Sequence, residues 1–169
     1  IMKKIAIIGL CLLLAGGVYA DGTTKGKTQW TAMRLMTAAN KLQRQQQYLE
    51  AMDSATLVLT VYPDSRAAKE FVRSHWDQMM RSAQKTLEEN HQENNLEQAR
   101  RRLQVYRYLV EINDNLRMTP LPLHGVNDRW VWQPEVQYWD GHFNDELRRV
   151  YRLEEEEKKY KANAEAHRH

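Results

Sequence analysis

Apolar side chains recur every three to four positions across residues 28–118, which places them on one face of successive helices. No glycine stands between Lys27 and His124, and Pro63 is the single proline between Lys27 and Thr119. Such a scarcity of breakers predicts an all-α block. The first helix covers about 28–46, with Leu35, Ala38, Ala39 and Leu42 sharing a face. The second covers 48–61, on a stripe of Met52, Ala55, Leu59 and Tyr62 flanked by Ala51 and Val58. The third starts after Pro63, with Asp64 or Ser65 as N-cap, and runs to about Asn90 on Val72, Trp76, Met79, Met80, Ala83 and Leu87. The fourth runs from about Asn95 to Arg117 on Leu96, Ala99, Leu103, Tyr106, Val110 and Leu116. Links this short make consecutive helices antiparallel neighbours.

Past Met118 the period changes. Pro120 and Pro122 break the helical pattern. Trp130, Trp132, Val136 and Tyr138 then alternate with Val131, Gln133, Glu135 and Gln137, a strand-like period interrupted by Pro134. Proline removes a ladder donor, so an edge strand or two short pieces are expected, resting on the helices or on a partner. Asn144 is placed to cap a last helix, Asp145 to about Ala166, whose apolar face is limited to Leu147, Val150 and Tyr151. Beyond Leu153 that helix is nearly all charge, and Glu154–Lys158, Glu155–Lys159 and Glu157–Lys161 are i,i+4 pairs in the favourable order, the pattern of a solvated face.

The first twenty residues read differently from the rest. Lys3 and Lys4, the apolar run Ile5–Leu14 and Val18-Tyr19-Ala20 have the order of a secretory signal cleaved before Asp21. The alternatives are an uncleaved anchor and a lipoprotein acylated on Cys11. The apolar run is short for a bilayer, and Leu10 stands where acylation wants a small residue. The expected organisation is a signal at 1–20, a disordered leader at 21–27, a helical repeat domain at 28–118, a Pro/Trp-rich appendage at 119–143 and a charged helix at 144–169. A periplasmic or secreted location follows, with no membrane span once the signal is gone. Cys11 is the single cysteine, so the exported chain has no disulfide, no thiol nucleophile and no thiolate metal site. The formal charge is +3, and loss of Lys3 and Lys4 brings the 25 basic residues to 23 against 22 acidic ones. That near balance argues against nucleic acid as a partner.

Residues Leu35 to Pro63 carry a more specific pattern. Leu35 stands early in the first helix, Ala38-Ala39 follow, Tyr48 comes at the turn, Ala51, Ala55 and Val58 lie inside the second helix, and Pro63 closes the unit. This segment resembles a tetratricopeptide repeat. The resemblance implies a short antiparallel array of helical hairpins, in which small side chains let helix axes approach and proline ends the second helix. Leu42 stands where the family has an aromatic, and the comparable Ala99 follows Ala51 at a longer spacing than the family period of about 34. The array is therefore read as degenerate, and a plain four-helix bundle would use the same residues. "Val-Tyr-Pro-Asp-Ser-Arg-Ala-Ala" also looks like a turn of exported bacterial helical-repeat proteins, which implies protein–protein interaction in the cell envelope, with an envelope protein or peptide as partner.

Candidate binding residues are Trp130, Trp132, Tyr138 and Trp139. They would cap the open end of the helical stack or offer flat faces to a peptide or sugar, and a glycan-binding module on Trp130, Trp132 and Trp139 is the alternative function. Arg100 and Arg101, with Arg102 and Arg107, form a basic stretch of the fourth helix, read as a solvated face or a docking surface for an acidic segment. None of the six histidines has metal-ligand spacing. Asp128, Glu135, Asp140 and Asp145 lie near aromatics without a fixed pairing, and neither a phosphate loop nor a nucleophile elbow is present. No catalytic residue, metal or cofactor is expected.

Overall fold

A computed structural model describes residues 22–168, with side chains from Thr28 onward. The signal and cleavage site read at 1–20 lie outside the described residues. Within them are five α-helices: α1 Gly22–Arg44, α2 Tyr48–Val61, α3 Arg66–Glu89, α4 Leu96–Arg117 and α5 Asp140–Ala166. Between α4 and α5 run two short strands, β1 Leu123–His124 and β2 Val131–Trp132, separated by a 3₁₀ turn at Val126–Asp128. No helix among the described residues is long and apolar enough to cross a membrane.

Local chemistry sets the helix ends. At the end of α1 the Gln47 N–H donates to Leu42 O at 2.9 Å and the Gln46 N–H to Gln43 O at 3.1 Å. This is the paired bonding of a Schellman cap, and Gln46 takes the left-handed φ of 61° usually left to glycine. Tyr62, held out of helical space before Pro63, ends α2 with φ −139°. Ser65 Oγ then accepts from the Ala68 N–H at 3.2 Å, and Asn95 Oδ1 accepts from the Gln98 N–H at 3.0 Å, capping α3 and α4.

Helix α2 is the centre of the molecule and packs against α1, α3 and α4. Ala51, Met52, Ala55, Val58 and Leu59 of α2 are fully buried. They meet Ala39 of α1, Val72 and Met79 of α3, and Leu109, Ile112 and Leu116 of α4 in one core. Each large side chain sealed there contributes roughly 1.5–3 kcal/mol. A second, smaller core joins Ala99 and Leu103 of α4 to Val150 and Leu153 of α5, with Phe143 and Leu147 beside them.

Four expectations are corrected. Residues 22–27, read as a disordered leader, continue α1, since each residue added to an existing helix gains a hydrogen bond. Helix α4 has two apolar faces in place of one stripe, because it stands between α2 and α5. Helix α5 begins at Asp140, so Asn144 is not its cap; the extra turn brings Phe143 into line with Leu147 on the second core. The strand period dies after Trp132, where Pro134 is buried and pairs with nothing, and Tyr138 is 85 % exposed in place of joining the tryptophans. Strand β2 pairs antiparallel with β1, Leu123 opposite Trp132 and His124 opposite Val131.

Candidate functional site: an aromatic groove

The α3 stripe continues past what α2 can cover. Trp76, Met80, Ala83 and Leu87 form a row along α3, and the chain after α4 folds back across it. The β ribbon sets Trp132 against Trp76, ring centroids 6.1 Å apart and nearly perpendicular. Residues 133–138 then run without regular structure, held where the buried Asn113 of α4 donates from Nδ2 to Gln137 O at 2.6 Å. Trp139 closes the run, with Tyr106 6.1 Å and His142 5.7 Å from its ring. Between α3 and this strap lies a groove of about 610 Å³. Its apolar surface comes from the α3 row, Leu109, Trp132 and Trp139. Its polar surface comes from Asp77, Arg81 and Gln84 on the α3 side and Gln133, Glu135 and Gln137 on the strap. The volume falls within the range of small-molecule clefts, and the lining is about evenly apolar and polar.

Two of the four aromatic candidates, Trp132 and Trp139, therefore share a site. Trp130 does not line it. Its indole lies flat against Gly125, where a Cβ would come within 2.3 Å of Nε1, and the Arg73 guanidinium covers it at 5.0 Å. Tyr138 points to solvent. Trp76 belongs to the groove although its position in a helical stripe marked it only as core. The alternation of aromatic and polar residues on the strap was the visible signal, and the α3 wall opposite had none.

The arginine stretch disperses. Arg100 pairs with Glu154 of α5 at 3.1 Å, and Arg101 with Glu97 and, at 3.2 Å, with Asn90 Oδ1. Arg101 also lines a smaller cavity of about 220 Å³ beside Tyr48, Glu50 and Tyr108, where burial, then the Glu50 charge, pushes the Tyr108 hydroxyl up to about 12. Arg102 is buried rather than solvated: Nε and Nη2 donate to Glu146 at 2.6 and 3.3 Å, and Nη1 to the carbonyls of Asn90 and Gln92. Arg149 donates to both oxygens of Glu146 at 2.9 Å, so one buried carboxylate stands between two guanidiniums.

A second polar group, partly buried, joins α2 to α4. The Asn115 amide donates to Asp53 Oδ1 and to Thr56 Oγ1, each at 3.1 Å. Burial above all, then the charge and hydrogen bond of Glu111, push the Asp53 carboxyl up to about 8. No cluster of three or more histidine, cysteine, aspartate or glutamate side chains among the described residues could hold a metal ion. Compared with protein-family models, curated proteins and solved structures, the chain finds no match.

Proposed function

We propose that this chain is an exported helical scaffold or adaptor of the bacterial cell envelope, its α1–α4 a degenerate tetratricopeptide-like array, and that it holds a segment of a partner protein in the aromatic groove. The groove itself carries the reading: indoles beside open amide and carboxylate groups suit an extended chain with apolar and polar side chains. Export rests on the sequence of the first twenty residues. The test is photo-crosslinking in the envelope with a benzophenone side chain at Gln84 or Gln133 on the groove, and at Asn40 on the exposed face of α1 as control. Defined protein adducts at both groove positions and not at Asn40 are expected; adducts equal at all three, or none, refute it.

Glycan binding is the second reading, favoured by the side-chain amides of Gln84, Gln133 and Gln137, which suit sugar hydroxyls beside indole faces. Quenching of the groove tryptophans by cell-wall oligosaccharide, without protein adducts, would select it.

A further inference from the structure

We infer that the segment bound in the groove presents a cationic side chain, lysine or arginine, to Glu135 and the indoles of Trp132 and Trp139. The inference rests on the groove as a peptide site and names the chemistry of what enters it. Charge complementarity is its first ground. The lining carries two carboxylates, Asp77 and Glu135, against one guanidinium, Arg81, and among the described residues neither carboxylate has an ion-pair partner. A guest with one positive charge balances the site, whereas an acidic guest meets like charge.

The second ground is how the chain treats its other indoles. Trp30 lies under the Arg34 guanidinium at 4.6 Å and Trp130 under Arg73 at 5.0 Å. Trp76 is sealed by Trp132. Of the three indoles lining the groove, the two less buried, Trp132 and Trp139, lack a covering cation among the described residues, although Arg81 stands on the opposite wall. An indole face attracts a cation through its quadrupole, and more strongly where water is partly excluded. The groove thus offers the same contact that the chain makes internally elsewhere, with the cation left for the guest to supply.

The exported protein is titrated by calorimetry with three peptides, acetyl-Gly-Leu-Ala-Arg-Ala-Leu-Gly-amide and its Arg→Gln and Arg→Glu counterparts. The arginine peptide is expected to bind about tenfold more tightly than the glutamate one, with glutamine between. Glu135→Gln should shrink that gap to about threefold or less without moving the melting temperature, since Glu135 is exposed. Equal binding of all three peptides, or a gap that Glu135→Gln leaves unchanged, overturns the inference while the groove stands as a peptide site. Binding of none, with quenching by cell-wall oligosaccharide, overturns the inference and the peptide reading together.

Discussion

Replacing Asp53 by asparagine should remove a pH dependence that is built into the α2–α4 interface. Asp53 is pushed from 3.8 to about 8, chiefly by burial and then by Glu111, whereas the unfolded chain releases its proton near the ordinary value. Between those values the folded state holds a proton that the unfolded state does not. The stabilisation is therefore complete below about pH 4 and is lost progressively as pH rises toward 8. His75, lowered by burial, acts in the opposite sense below its ordinary 6.5, so the clean window lies above that value. From pH 6.5 to 8 the loss is about 2 kcal/mol, at roughly 1.4 kcal/mol per pH unit for one proton. Urea unfolding at pH 6.5, 7.5 and 8.5 measures it. Asp53→Asn keeps the shape and offers Glu111 a permanent donor, so its stability should be nearly flat over that range and exceed that of the wild type at pH 8.5. Asp77→Asn, on the exposed flank of α3, should keep the wild-type slope. A wild type whose stability is flat from pH 6.5 to 8.5, or an Asp53→Asn protein that keeps the slope, would refute the raised Asp53 carboxyl.

The other predictions concern packing and caps. Arg102→Met should cost about 3–5 kcal/mol in urea unfolding by leaving Glu146 buried with Arg149 alone, and adding Glu146→Leu should restore much of the loss. Ala51, fully buried where α2 packs into the core, should tolerate leucine poorly, at about 1–3 kcal/mol in thermal melts, and a wild-type melt would remove it from the helix contact. Gln46→Gly should raise stability by about 0.5–1 kcal/mol, because φ 61° strains any residue with a Cβ; an unchanged or lower melting temperature would count against the cap described at the end of α1.

Much of the helical frame was legible because its punctuation is local. Pro63 and the Ser65 and Asn95 caps act within four residues, so α2 and the starts of α3 and α4 fall where the pattern places them. What failed was non-local. The two faces of α4 could not be told apart until α5 was known to lie against the side opposite the main core. Arg102 looked like its neighbours Arg100 and Arg101, and only the arrival of Glu146, forty-four positions later, makes its burial tolerable. The groove was half visible: the strap announced its tryptophans, while Trp76 was hidden among core residues of the same spacing.

The prolines at 120 and 122 punctuate the chain without marking a seam in the molecule. Leu123 enters the main core, Asn113 of α4 grips the strap, and α4 lends one face to each of the two cores. A protease that cuts the exposed turn at 126–129 would therefore release nothing. The two fragments should co-elute as one particle and separate only when denatured. The groove has its two walls on opposite sides of that cut, so both fragments would be needed to form it.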